Sequence, residues 1–169
     1  MKKLIALVTA LMLMLTFAAA ANAQAPKTYQ VGIIQMADNG AFTDMREGYI
    51  ARMRELGYGE DAMVFDYQNA QGDMTNLASI CQKMIDSGKD YVVTIATPPS
   101  QAFLNMGSDI PMFFISVSNP VGAGIITDMA KPDKNATGAS NAIPVAEMFK
   151  LSAKLTPNVK TYGLIYCTS

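Results

Sequence analysis

Hydroxyls and carboxamides, rather than acids, bases or metal ligands, occupy the places where this chain's apolar runs stop. Thr97 and Ser100 flank Pro98-Pro99 directly after Tyr91-Val-Val-Thr-Ile-Ala96. Ser116, Ser118 and Asn119, beside Pro120, follow Pro111-Met-Phe-Phe-Ile115, and Asp38 and Asn39 follow a first run that ends at Gln35. Such groups hold a ligand by hydrogen bonds and, without an activating base, do not react with it. Thr97 and Ser100 fall at a predicted helix start, where unpaired N–H groups and the helix dipole favour an anion, so a carboxylate-bearing ligand fits. Each residue also has a structural use. Thr97 reads equally as an N-cap followed by prolines in the first turn. Ser116, Ser118 and Asn119 read also as turn residues that bond their own backbone, and Gln35, Asp38 and Asn39 divide the same way. Gln68, Asn69 and Gln71 read first as a structural loop.

Catalytic templates fail one by one. The chain has no His, which removes Ser-His-Asp and Cys-His arrangements and the commonest metal ligand. Gly122-Ala-Gly124 lacks the third glycine of a dinucleotide loop, and no phosphate-binding Walker loop, Ser-x-x-Lys or Cys-x-x-Cys occurs. The carboxylates are spread over solvated faces. No catalytic residue, cofactor or metal is expected. Thirteen Lys and Arg against 14 Asp and Glu exclude the basic footprint of a nucleic-acid binder. Cys81 falls on a helix face and Cys167 at a strand end, which predicts two separate buried thiols rather than a disulfide.

The positioning elements follow from periodicity. Lys2-Lys3, an apolar stretch Leu4–Phe17 and Ala21-Asn22-Ala23 form a secretory signal peptide over residues 1–23, too short in its apolar part for a comfortable membrane span. Cleavage there leaves 146 residues, enough for one domain, and no Cys at the new terminus for lipid attachment. A periplasmic or secreted protein that does not span the membrane is expected. Strands are predicted at 29–35, 63–67, 91–96, 112–117 and 161–166. Phe42, Met45, Tyr49, Met53 and Leu56 mark one helix stripe, and Leu77, Ile80, Cys81, Met84 and Ile85 a second. Shorter helices are predicted over about 101–106 and 145–155. Strands alternating with helices imply an α/β three-layer sandwich with a largely parallel sheet.

Val31-Gly-Ile-Ile-Gln35, Arg46-Glu-Gly48, Gln68-Asn-Ala-Gln-Gly-Asp73, Ala96-Thr-Pro-Pro-Ser-Gln101, Asn119-Pro-Val-Gly-Ala-Gly124 and Thr137-Gly138 before Ile143-Pro-Val145 stand in this order. As a set, they resemble the substrate-binding family of ABC transporters that includes tryptophan- and tyrosine-binding proteins. The resemblance implies a type I periplasmic-binding fold, in which two α/β lobes close on a small solute and present it to a membrane permease. It implies a first lobe over 24–137, and a hinge crossing with the start of a second lobe over 138–169, so that the chain reads as an amino-terminal fragment. Gln35, Asn39, Thr97, Ser100, Ser118 and Asn119 would line the first wall and Thr168 the opposite one. Asn119 and Asn141 stand where members commonly carry Asp, which removes a charge that could pair with a ligand ammonium. The alternatives are a sensing module serving a receptor or kinase and, behind it, a Rossmann-like enzyme.

Overall fold

Runs that are apolar on both faces become the central strands of a sheet covered on both sides. A computed structural model describes residues 27–163. Its strands are β1 (Tyr29–Gln35), β2 (Met63–Asn69), β3 (Tyr91–Ile95), β4 (Met112–Val117) and β5 (Ala136–Ser140), and its helices are α1 (Gly40–Glu55), α2 (Met74–Asp86), α3 (Thr97–Asn105) and α4 (Val145–Leu155). All strand pairs are parallel, in the order β2-β1-β3-β4-β5.

The two faces carry separate cores. On one, Phe42, Met45, Tyr49, Ile50 and Met53 of α1 pack on Val31, Ile33, Met63, Val93 and Ile95. On the other, Leu77, Cys81 and Met84 of α2 and Phe103 of α3 pack against Ile34, Val92, Met112, Phe114 and Val117. Each fully buried Val, Leu, Ile, Phe or Met among them contributes about 1.5–3 kcal/mol, and the partly buried α1 side chains less. Gly32 lets α2 approach the sheet, since a Cβ there would sit 2.7 Å from the Met84 sulfur. Cys81 is free and buried, and burial pushes its thiol up to about 11; Cys167 lies outside the described residues.

Four elements differ from the sequence expectation. β2 runs two residues further than predicted, taking in Gln68 and Asn69, which pair with Ile34 and Gln35 rather than standing in a loop. α3 begins at Thr97, four residues early, because Pro98 and Pro99 occupy the first turn, where a missing N–H breaks no helical bond. Ala136–Ser140, read as part of a connector and hinge, is a fifth strand, and the expected boundary at residue 137 falls inside it. Thr161–Gly163 form no strand, and the rest of the strand expected there lies outside the described residues, as do the signal peptide and Thr168. α4 buries none of its residues; Val145, Met148 and Phe149 line an open groove of about 550 Å³ together with Ile143, Ser152 and Tyr162. Among the described residues no helix is long and apolar enough to cross a membrane.

Candidate functional site

The strand order reverses between β1 and β3, and in open α/β sheets ligands lie outside the carboxyl ends of the strands at such a reversal. Gln35 is the register partner of Ile95, and Ile95 of Ile115. β1, β2 and β3 therefore end at one level, β4 runs on to Val117, and the polar residues after these strands share one edge. β5 ends beside them, with Ser140 opposite Val117 after a register shift.

Two of these exits are strained. Ala96 has φ 74° and ψ 174°, a region that almost only glycine visits, and Ser116 has φ 63°. Ala96 is held by its N–H, which donates to the Ile115 carbonyl at 2.8 Å, and by its carbonyl, which accepts from Ser100 Oγ at 2.8 Å. The sharp bend places Thr97 at the first helical position, so the expected capping role does not occur: no side chain caps α3. Of its first three residues only Thr97 carries an N–H, which narrows the anion-binding capacity of that helix start to one amide and one hydroxyl.

The expected site residues divide by burial. Gln35 and Ser100 are fully buried. Ser100 Oγ lies 2.8 Å from Thr94 Oγ1, and because its single proton goes to Ala96, Thr94 is the donor of that pair. Gln35 Nε2 donates to the Ala37 carbonyl at 2.8 Å, and its Oε1 has no hydrogen-bond partner among the described residues. Asn39, Ser118 and Asn119 are exposed and Thr97 is half-buried. Asn39 caps α1, its Oδ1 accepting from Phe42 N–H at 2.8 Å; Asn119 Oδ1 accepts from Gly122 N–H at 2.8 Å. Ser118 Oγ donates to Asn141 Oδ1 at 3.0 Å, which ties the exits of β4 and β5.

Among the loops leaving the strands, the carboxylates are internally engaged. Asp38 accepts from Tyr67 at 3.2 Å, and Asp73 caps α2 through Thr75 N–H and Asn76 N–H. The Arg46 guanidinium lies 4.0 Å over the Tyr67 ring. Burial, reinforced by Asp38, holds the Tyr67 hydroxyl above its usual range although Arg46 opposes this. Thr94 and Ala96 were not singled out from the sequence. Thr94 had a signal, since a polar residue inside an apolar strand requires an internal partner.

The family described as "ABC transporter substrate binding protein" matches residues 30–169. A tyrosine-binding protein from Clostridioides difficile (strain R20291) is 35% identical over 144 residues, covering 85% of this chain and 42% of the relative. An ABC domain from Streptococcus pneumonia solved in complex with L-Trp superposes with a TM-score of 0.75 at 30% identity, over 79% of this chain and 45% of that one. The ligand-free, open structure of a substrate binding protein with adhesive properties from Clostridium difficile gives 0.71 at 32%, over 78% and 45%. The chain thus spans less than half the length of these relatives, and the type I periplasmic-binding-like α/β architecture is shared over that part.

Proposed function

The chain belongs to the ABC transporter substrate binding protein family, and from that premise we propose that it carries the first lobe of an extracytoplasmic protein that binds a small organic solute, an amino acid in the first instance, and passes it to a membrane permease. The observation that carries the reading is the strand-order reversal between β1 and β3, with polar side chains after β1, β3 and β4 on the open edge. This edge is open among the described residues, so a side chain that meets the solute must be exposed. Asn39, Ser118 and Asn119 are exposed, and Thr97 in part. Gln35 and Ser100 shape the wall from beneath. The first lobe then runs through β5, and the crossing to the second lobe follows Ser140.

The relatives named for tyrosine and L-Trp make aromatic amino acids the first solutes to try. In a protein of the relatives' full length that carries this lobe, L-tyrosine or L-tryptophan should raise the melting temperature in a concentration-dependent way. Thr97→Ala combined with Ser118→Ala should weaken that response far more than it lowers the melting temperature without ligand. An unaltered response across a panel of amino acids, with folding verified by circular dichroism, defeats the reading.

A further inference from the structure

Four aromatic rings and two thioethers meet at the amino ends of the strands, the pole opposite the open edge. Tyr29, Met63 and Tyr91 begin β1, β2 and β3, and Phe113 is the second residue of β4. With Met53 from the last turn of α1 and Tyr58 just beyond that helix, they line a cavity of about 230 Å³ that no charged side chain borders. Two of its walls are tied together. Tyr91 donates its hydroxyl proton to the Met63 sulfur at 3.5 Å and, with that proton spent, accepts from Tyr49 at 2.9 Å. The rings do not stack shut. Tyr29 and Tyr58 have centroids 6.4 Å apart and planes at 77°, and Tyr91 and Phe113 have centroids 5.1 Å apart and planes at 72°. Tyr58 and Phe113, 39% and 40% exposed, stand at the mouth.

The face of an aromatic ring is negative and attracts a cation. This cluster already holds one from outside the cavity: Lys27, paired with Asp90, sets its ammonium 5.1 Å from the Tyr29 ring centroid. Within the cavity an ordinary ammonium, with three N–H donors, would lose its water and meet mostly rings and thioethers. A quaternary ammonium has no N–H to satisfy and keeps the attraction of the rings. We propose that this cavity is a second ligand site, independent of the solute edge, and that it takes a small quaternary ammonium cation. The space suffices, since an apolar cavity of about 150 Å³ admits benzene.

The test titrates choline, and the uncharged alcohol in which a carbon replaces its nitrogen, into the chain labelled with ¹³C at the methionine methyl groups. Choline should move the Met53 and Met63 methyl resonances saturably and bind at least about three-fold tighter than the alcohol, the low end of a cation–ring attraction. Tyr58→Leu and Phe113→Leu each keep an apolar wall at the mouth and remove a ring. Each should weaken choline by about three-fold or more and leave the affinity for the alcohol nearly unchanged, with the amide spectrum confirming the fold. Equal affinity for choline and the alcohol in the unaltered chain makes this a plain apolar pocket and overturns the proposal. So does a titration in which neither compound moves the two methyl groups. Choline binding that survives at full strength in both leucine variants places the cation elsewhere and overturns it as well.

Discussion

Gly138→Ala and Gly48→Ala are the same chemical change and should shift stability in opposite directions. Gly138 is paired with Phe114 in the β4–β5 ladder, and a Cβ there would lie 2.0 Å from the Phe114 carbonyl oxygen and 2.7 Å from its ring. The ring can turn, but the carbonyl belongs to the sheet backbone. Relief requires β5 to move away, with loss of the Ser118–Asn141 and Ser140–Ser118 bonds that close the β4 exit. Overpacking of this kind costs about 1–3 kcal/mol. For a lobe of this size that corresponds to a fall of roughly 4–12 °C in Tm. Gly48 lies inside α1 with nothing within 4 Å of a built Cβ. Alanine there should add about 0.5–1 kcal/mol through lower unfolded-state entropy and better helix propensity. Paired thermal and urea melts read both values, and amide hydrogen exchange should show faster exchange in β4 for Gly138→Ala alone. Destabilisation of equal size by both changes, or a neutral Gly138→Ala with β4 still protected, would refute the close β4–β5 approach.

Other expectations address the rest of the lobe. Asp73→Ala removes the acceptor for Thr75 N–H and Asn76 N–H at the start of α2 and should cost about 1 kcal/mol in urea denaturation; Asp73→Asn should recover most of it. Asp90 lies below the ordinary carboxyl value of 3.8 because the Gln30 N–H and then Lys27 bond its charged form. Its stabilisation is therefore complete above 3.8 and is lost as pH falls through the lowered value. Wild type should accordingly lose more stability than Asp90→Asn between about pH 4 and pH 2, and parallel profiles would contradict the assignment. Cys81, buried with its thiol pushed up to about 11, should resist an aromatic disulfide reagent at pH 8 until denaturant unfolds the lobe; rapid reaction in native buffer would place it at the surface.

The central strands were legible because burial on both faces leaves an apolar record: Val31, Ile33, Ile34, Val92, Val93 and Ile95 are all fully buried. β5 left no such record. Ala136-Thr-Gly-Ala-Ser140 is small and weakly apolar, and it is a strand because β4 offers it a ladder, a tertiary fact no local window contains. The start of α3 was misplaced for a related reason, since Pro-Pro reads as a breaker until its position in the first turn is known. For the site, position along the chain was readable and depth was not. Ser100 and Ser118 are alike in sequence context, each a hydroxyl beside a strand exit, yet Ser100 turns inward to Thr94 and Ala96 while Ser118 remains on the open edge. That choice is made by the Ala96 bend.

That bend also explains why a non-glycine residue is tolerated in a conformation that costs on the order of 1–3 kcal/mol. Ala96 and Ser116 follow the register partners Ile95 and Ile115, so the two left-handed residues stand side by side on adjacent strands. Ala96 turns its chain where β3 stops, Ser116 bends β4 one residue before its last pair with β5, and the Ala96 N–H bond to the Ile115 carbonyl keeps the two strands joined through the turn. An ordinary extended residue at 96 would carry β3 further and set α3 later, separating Thr97 from Ser118 and Asn119 along the strand direction. The buried Thr94–Ser100 pair opposes that alternative by holding the first turn of α3 down on β3. Strain in the backbone and polar bonds beneath it are thus two parts of one device, which fixes the height of the exposed hydroxyls and carboxamides on this edge.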